Sequence, residues 1–446
     1  MVNRRVFLKG MSSVVMSTLF PTLSSAATID ISKVNFDSNI YTNNDAQTIM
    51  IFLYGGASEL GGNLTNLNEI QKNSQNKYDL DNLTVTKNGF WSQAGGQAME
   101  RMLANGDMNI FRTCYRRANG SRSHGECVAE NQRGLMNVVD PTYGAGIFAN
   151  LAKVLVNNGV INSETILPFI TMEGESDLFS PGPLNLEKFL YPAALDENLS
   201  NPYARSLGFE LYSTDEWNSN PRPTETAISI AFDKLAKSMN QNETLQNAMD
   251  KRAILDEFIQ KQSERVIPEG VVYPDTSFGR KFSVAVKLLV GNPDTKVVSL
   301  GVGGLGSWDD HSRAINSYSK RMTDLMTSIE AALAHMAAEE RDNISIIAFG
   351  DFGRNVNYND SLGWDHGNNQ NVYIFGGKRY FNQVGIVGET QLQSAQSNHR
   401  LYLEPKDDSY WFEPYAVAAT IYKMYGITNP EVLTNGYGAI DAGLFK

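Results

Sequence analysis

Three of the five histidines lie in short loops that also carry glycine and either serine or aspartate. They are His124 in Ser-His-Gly, His311 in Trp-Asp-Asp-His and His366 in Trp-Asp-His-Gly. Imidazole nitrogens with carboxylate oxygens are the ligand mix of zinc, manganese and iron sites. Asp309 and His311 project to the same side of an extended segment, so both can reach one ion. A single Asp-x-His is commonly a capping aspartate beside an ordinary histidine, so the three loops together carry the prediction of a divalent-metal site.

The segments that precede these loops are predicted to be buried β-strands. They are apolar runs rich in β-branched and aromatic residues, at 48–54, 108–113, 166–171, 296–301, 344–349 and 371–375. Helical patterns alternate with them, the longest between Ile315 and Met336. This alternation indicates an α/β fold with a mostly parallel central sheet and helices on both faces. The loops would then meet at the carboxyl ends of the strands, where such sheets bind ligands.

Residues 172–275 differ from the rest of the chain in composition. They contain Pro181-Gly182-Pro183, several clusters of asparagine and aspartate, and two helical stretches near 226–239 and 243–265. We interpret them as a helical and loop insertion, or cap, on the main sheet. Residues 27–446 are otherwise predicted to form one α/β domain.

The first 26 residues read as a twin-arginine export signal. Adjacent arginines in Asn-Arg-Arg-Val-Phe-Leu-Lys at 3–9 are followed by an apolar run at 11–20. That run is too short to cross a bilayer of about 30 Å as a helix. Small residues follow it and suit cleavage near residue 26. We therefore expect export to the periplasm, the cell surface or the medium, with no membrane span after cleavage.

The charge balance argues against a nucleic-acid partner, which would need a basic face. The formal net charge is −11, and the signal carries three basic residues and no acidic one, so cleavage would give −14. An anionic substrate is still compatible with this balance, because a bound metal ion inverts the local field.

Two cysteines, Cys114 and Cys127, are separated by 13 positions. Export to an oxidising compartment would permit a disulfide between them, worth about 3 kcal/mol for so short a loop. Two unpaired buried thiols are equally compatible with the sequence.

The order of the loop motifs resembles an exported family catalogued as domain of unknown function 1501, within the alkaline phosphatase and sulfatase superfamily. The motifs that carry the resemblance are Gly55-Gly56-Ala57-Ser58, Ser123-His124-Gly125, Gly306-Ser307-Trp308-Asp309-Asp310-His311, Gly350-Asp351-Phe352-Gly353-Arg354 and Asp365-His366-Gly367. The resemblance covers nearly all of the chain after the signal. It implies an alkaline-phosphatase-like sheet and an activity on phosphate or sulfate esters.

The resemblance also implies roles for individual residues. Four residues match metal ligands, namely Asp309, His311, Asp351 and His366. Ser123 matches the position of a nucleophile, and Arg354 could hold an anionic oxygen through two hydrogen bonds. His124 could shuttle a proton. The alternatives are a helix N-cap for Ser123, a structural salt bridge for Arg354 and an ordinary loop histidine for His124.

The chain departs from the family pattern where the first strand ends. Ser58 stands where the superfamily has a metal-binding aspartate, and the adjacent Glu59 should point the other way on an extended segment. Asp351 replaces a glutamate. Because a two-metal site clamps both the attacking and the leaving oxygen, the loss of one carboxylate would leave one ion, a different metal or none.

The resemblance therefore implies an exported metal-dependent hydrolase that acts on a small anionic ester or a polymer. The alternative is a catalytically degenerate member that serves as a binding or surface-assembly protein. Asp310 and Asp365 are expected to orient neighbouring histidines. His335 and His399 are expected to be surface residues without a role.

Overall fold

The computed structural model describes residues 29–136, 144–197, 199, 234, 237–238, 254, 257–393 and 399–446. The strands, in chain order, are β1 (Gln47–Leu53), β2 (Met108–Tyr115), β3 (Phe169–Thr171), β4 (Ala193–Ala194), β5 (Val297–Ser299), β6 (Ile344–Gly350), β7 (Gly353–Arg354), β8 (His366–Gly367), β9 (Asn369–Gly376), β10 (Ile386–Val387), β11 (Thr390–Leu392) and β12 (Leu403–Pro405). The α-helices whose two ends lie within the described residues are α1 (Ser38–Asn44), α2 (Leu67–Asn73), α3 (Gly96–Ala104), α4 (His124–Arg133), α5 (Ile147–Asn157), α6 (Ser277–Gly291), α7 (Ala314–Ala338) and α8 (Tyr415–Met424).

Eight of the strands form the main sheet, in the order β10-β2-β9-β6-β1-β5-β3-β4. Seven of them run parallel, and β9 runs antiparallel to both of its neighbours, β2 and β6. The predicted mostly parallel sheet is thus confirmed. Because β9 is reversed, its amino end lies beside the carboxyl ends of β2 and β6, and the residues just before β9 join the loops that follow those strands.

Both faces of the sheet are buried, as uniformly apolar strands predict. All seven residues of β1 are buried, and its side chains alternate between two apolar clusters. Ile49 and Ile51 belong to the cluster that includes residues of α3, α6 and α7. Met50 and Phe52 belong to the cluster that includes residues of α5 and α8. Helices therefore cover both faces of the sheet and leave its carboxyl edge to the loops.

Two sequence predictions fall largely outside the described residues. Residues 1–26, the predicted signal, lie outside them, as do most of the two predicted helical stretches of the insertion. The described part of the insertion adds β4 to one edge of the main sheet. No described helix is both long and apolar enough to span a bilayer.

Both cysteines are buried and free. The thiol of Cys127 donates to the Ser121 carbonyl oxygen at 3.3 Å. The alternative of two unpaired thiols is the one that the structure has.

The loop after β1 is anchored by Tyr318 of α7. The fully buried Tyr318 hydroxyl donates to the Ser58 carbonyl at 2.6 Å and accepts from the Gly61 N–H at 3.2 Å. Tyr318→Phe would leave both buried backbone groups unpaired, so we expect the free energy of unfolding to fall by about 1–3 kcal/mol. Urea unfolding measures this, and Tyr191→Phe, at a tyrosine that is 46% exposed, is the matched control. Equal stability of the two variants would contradict the prediction.

Candidate metal centre

The three histidine loops meet at the carboxyl edge of the sheet, together with Asp309. His124 is the first residue of α4, Asp309 and His311 lie in the loop after β5, and His366 begins β8. One ligand atom from each of these four residues lies within 4.8 Å of the others. Within the described residues this is the one such group of histidine, cysteine and carboxylate side chains. Residues far apart in the sequence thus form one cluster.

The loop before His124 runs from the end of β2 at Tyr115 to His124, where α4 begins. Ser123 takes the N-cap position with extended backbone angles, φ −86° and ψ 124°. Its hydroxyl makes no capping hydrogen bond, and the residue is exposed. Ser123 therefore lies beside the cluster at the amino end of a helix.

The Asp309 carboxylate is the common neighbour of the three imidazoles. Its Oδ1 lies 3.0 Å from His311 Nε2, 3.3 Å from His124 Nε2 and 3.7 Å from His366 Nε2. The Nε2 atoms of His311 and His366 are themselves only 2.9 Å apart. All three rings therefore direct the same nitrogen at one small region.

Each imidazole has a second partner at Nδ1, and that partner can only accept a hydrogen bond. The partners are the Asp351 carboxylate for His124 at 2.8 Å, the Asp365 carboxylate for His311 at 3.1 Å and the Arg122 carbonyl for His366 at 2.7 Å. In a neutral imidazole with a proton on Nδ1, Nε2 carries the lone pair. An acceptor at the far nitrogen is the usual arrangement around metal-binding histidines.

The four residues fit a divalent cation. The Nε2 atoms of His311 and His366 lie 2.9 Å apart, close enough for both to contact one cation. The Nε2 of His124 is buried and has no hydrogen-bond partner, although a buried polar atom is normally paired. Three imidazoles and one carboxylate are a donor set suited to zinc. The cluster can therefore hold a cation that would satisfy these atoms together.

Asp351, which the sequence predicted as a ligand, is not among the four clustered residues. Its Oδ2 instead accepts from His124 Nδ1 at 2.8 Å and from the Gly55 N–H at 3.1 Å. His124, for which proton transfer was predicted, is in the cluster instead. Asp351 thus contacts the cluster from behind His124.

Arg354 is almost fully buried beneath the cluster. Its guanidinium donates to the Gly56 carbonyl at 2.8 Å, the Trp364 carbonyl at 2.9 Å, Asp309 Oδ1 at 2.5 Å and the Gly55 carbonyl. All three guanidinium nitrogens therefore bond the protein itself. These contacts are the ones expected if Arg354 forms a structural salt bridge. The role of Arg354 in holding an anionic oxygen stays a prediction.

The two aspartates expected to orient histidines behave differently. Asp365 does bond His311, as expected, and also pairs with Arg400 at 2.8 Å. Asp310 pairs instead with Arg321 at 2.5 Å, so the expectation for Asp310 is wrong. The backbone carbonyl of Asp310 accepts from the Trp364 N–H at 2.8 Å.

The residues at the end of β1 do not join the cluster. The buried Ser58 caps a short 3₁₀-helix, its Oγ accepting from the Leu60 N–H at 3.3 Å. Glu59 points elsewhere, as expected, and its Oε2 accepts from the Arg354 N–H at 3.1 Å. Burial raises the pKa of Glu59 to about 8. Neither Ser58 nor Glu59 therefore adds a carboxylate to the four clustered residues.

The other two histidines lie outside the cluster. His399 is exposed, as expected. The expectation of a surface position is wrong for His335, which is fully buried with Nδ1 3.0 Å from the Tyr273 hydroxyl. It lies on the buried face of α7.

The electrostatics of the cluster leave His366 neutral at neutral pH. Burial, with the nearby charge of Arg354, lowers the pKa of His366 to about 4. The hydrogen bond with Asp351 raises the pKa of His124, although burial opposes it. Burial raises the pKa of Asp309, but Arg354 lowers it further, and the net shift is downward. A neutral imidazole beside an ionised carboxylate is the state that binds metal.

Sequence reasoning missed Asn131, which holds the Asp351 segment in place. The side-chain amide of Asn131 donates to the carbonyls of Gly350 and Asp351, both at 2.8 Å. Asn131 lies seven residues after His124, two helical turns along α4. That spacing was the available signal, but it becomes informative only when α4 is known to begin at His124.

Comparison with known proteins gives a family and distant structural likenesses. A family model described as "Protein of unknown function (DUF1501)" matches residues 217–443. No curated protein matches the chain.

Two similar solved structures are remote in sequence. The C-terminal periplasmic domain of EptC from Escherichia coli, in complex with Zn, is 7% identical, covers 93% of this chain and 95% of its own, and has a TM-score of 0.37. The phosphonate monoester hydrolase SpPMH from Silicibacter pomeroyi is 11% identical, with coverages of 89% and 77% and a TM-score of 0.29. Likenesses this remote carry no argument about activity.

The family match is different in kind, because it rests on sequence and spans just over half of the 446 residues. It includes the loops of Asp309, His311 and His366. This chain therefore belongs to the family described as protein of unknown function DUF1501.

Proposed function

We propose that this protein is an exported hydrolase of phosphate or sulfate esters that uses one divalent metal ion. The proposed ligands are His124, Asp309, His311 and His366. The observation that carries the proposal is the convergence of three Nε2 atoms on one carboxylate oxygen. Zinc is the preferred ion, ahead of manganese or iron, because imidazoles outnumber carboxylates in this set.

The charges around the cluster support an anionic substrate. Three carboxylates, Asp309, Asp351 and Asp365, contact the imidazoles, and two guanidiniums, Arg354 and Arg400, contact those carboxylates. This set carries one net negative charge, which a divalent cation would change to one net positive charge. A phosphate or sulfate ester would then be attracted rather than repelled.

Ser123 is the proposed nucleophile. It lies next to the ligand His124, its hydroxyl is free of a capping bond, and it stands at the amino end of α4, whose dipole favours negative charge. A bound divalent ion would lower the pKa of a nearby hydroxyl and stabilise charge on the ester oxygens. In this proposal His124 binds the ion and Arg354 fixes Asp309.

The direct test combines metal analysis with an ester assay. We expect about one zinc ion per chain in purified protein, and turnover of aryl phosphates or aryl sulfates that chelation removes and zinc restores. Ser123→Ala should keep the ion and lose turnover. Protein without bound metal and without turnover on the whole panel would refute the proposal.

The outer partner of His311 offers a graded test of the metal site. Asp365→Leu keeps the size of the side chain but removes the acceptor for His311 Nδ1. We expect zinc affinity to fall by about 10- to 100-fold. Competition with a chelating dye measures it, and Asp360→Leu, an exposed carboxylate on the same loop, is the control. Equal affinities in the two variants would mean that Asp365 does not support a ligand.

A degenerate binding or surface-assembly protein is the second candidate, and Ser58 favours it. The side chain of Ser58 caps a helix, at a position where the superfamily pattern has a metal-binding aspartate. Ser58→Asp separates the two candidates. Activity or metal binding that appears only in Ser58→Asp would support degeneracy, and a native protein that already turns over esters would exclude it.

Export through the twin-arginine route, to the periplasm or beyond, is proposed from residues 1–26. Replacing Arg4 and Arg5 together by lysine should retain the precursor in the cytoplasm. Fractionation of cells that express both forms measures this, and unchanged export of the double variant would contradict it.

A further inference from the structure

A large cavity opens beside the candidate metal centre, at the same edge of the sheet. Its volume is about 710 Å³, within the 300–1,000 Å³ range of small-molecule sites. Tyr54, the residue after β1, lines it, and the next residue, Gly55, bonds Asp351 at 3.1 Å. The cavity and the candidate centre therefore share the loop that follows β1.

One face of α4 leads from the cluster into the cavity. Val128 and Gln132 line the cavity and lie four and eight residues after His124. Residues four apart on a helix share a face, with their Cβ atoms about 5–6 Å apart. A molecule held at His124 could thus extend along α4 into the cavity.

The polar groups of the cavity are fixed by hydrogen bonds among themselves. Gln132 donates to the Tyr54 hydroxyl at 2.6 Å, and that hydroxyl donates to Glu173 at 2.9 Å. Ser176 donates to the carbonyl oxygen of the Gln132 side chain at 3.2 Å. These groups are preorganised, and a carboxylate lies at the end of the chain of bonds.

The charge of the cavity is opposite to that expected at a loaded metal centre. Glu175 and Asp177 line it, but Asp177 is paired with Arg133 at 2.9 Å, so the negative charge of the wall rests on Glu175. No lysine, arginine or histidine is among the lining residues that the structure describes. Phe179, Tyr191 and prolines form the apolar part of the wall. Such a wall repels a second anionic group and suits an uncharged ring that carries hydroxyls, which can pack on the apolar surface and donate hydrogen bonds to carboxylates.

We propose that this cavity binds the uncharged, hydroxyl-rich part of the substrate, such as a sugar ring, while the charged ester group sits at the metal centre. This inference rests on the proposed function for the orientation of the substrate. The binding of a neutral polyol in the cavity, however, needs neither a metal ion nor turnover. It can therefore be tested separately.

The test measures binding of neutral methyl glycosides to the full-length protein by saturation-transfer NMR. The probes are the methyl glycosides of glucose, galactose, mannose, xylose and N-acetylglucosamine, with methyl glucuronide as the anionic comparator. We expect at least one neutral probe to bind better than the glucuronide. Tyr191→Ala should weaken that binding by about five- to tenfold, since it removes an exposed aromatic surface.

Two further variants serve as controls for this binding test. Trp411→Ala removes another exposed aromatic ring, near β2 on the far side of the sheet order, and should bind like the native protein. Glu175→Gln keeps the shape of the cavity and should reduce the preference for neutral probes. Binding by none of the neutral probes, a preference for the glucuronide, or equal binding in Tyr191→Ala and Trp411→Ala would overturn the proposal. If the protein binds glycosides but does not turn over esters, the proposed hydrolase activity is refuted and the proposed role of the cavity stands.

Discussion

Replacing His366 with alanine should weaken zinc binding by at least about 100-fold, more than the 10- to 100-fold loss usual for an outer partner. His366 is the proposed ligand whose ring is most clearly prepared for metal. Its Nδ1 donates to the Arg122 carbonyl at 2.7 Å, and its lowered pKa of about 4 keeps it neutral at neutral pH. Without it, the His311 Nε2 loses the neighbour at 2.9 Å that points to a shared ion.

The measurement is a competition titration with a chelating dye, accompanied by metal analysis of the purified variant. His399→Ala is the matched control, because it makes the same substitution at an exposed histidine outside the cluster. Circular dichroism and urea unfolding show whether the variant is folded. A folded His366→Ala protein with native zinc content and affinity would refute the proposed ligand set.

Arg354→Met should lower the free energy of unfolding by about 3–5 kcal/mol, since it leaves three buried carbonyl groups without their donor, at roughly 1–3 kcal/mol each. The guanidinium bonds the carbonyls of Gly55, Gly56 and Trp364 as well as Asp309. Methionine keeps much of the volume but supplies no donor. Three loops that carry the candidate centre would lose their common anchor.

Urea unfolding of Arg354→Met is to be compared with that of Arg379→Met. Arg379 pairs with Asp342 at the surface at 2.7 Å, where an ion pair is worth at most about 1 kcal/mol. If the two variants are equally stable and Arg354→Met loses ester turnover alone, then Arg354 serves the substrate rather than the fold. That result would restore the role that the family resemblance implied.

The sequence predicted the sheet and the position of the histidine loops because their signals are local. The apolar runs of β1 and β6 and the helical spacing of α7 are each contained in a few turns or residues, and all three elements form where expected. Likewise, the order of strands and helices along the chain was enough to predict that three histidines lie at strand ends. These features depend on burial patterns that the chain encodes segment by segment.

The place of His124 in the cluster, and that of Asp351 behind it, could not be predicted in the same way. These positions depend on where α4 begins and on the hydrogen bonds that hold the segment after β6 against Asn131. Both are tertiary contacts, and neither leaves a periodic signal. The contacts of Arg354 could not be predicted either, because most of them are to backbone carbonyls, which every residue type has.

The reversed direction of β9 has a consequence for biosynthesis. β9 pairs with β2 and β6, and the residues before it deliver His366, whose Nδ1 partner Arg122 is 244 positions earlier in the chain. A nascent polypeptide still lacking that strand would have an unfilled gap in its sheet and an incomplete set of ligands. Binding of the proposed ion would therefore require a chain synthesised past β9, and products shortened before that strand would lack a proposed ligand.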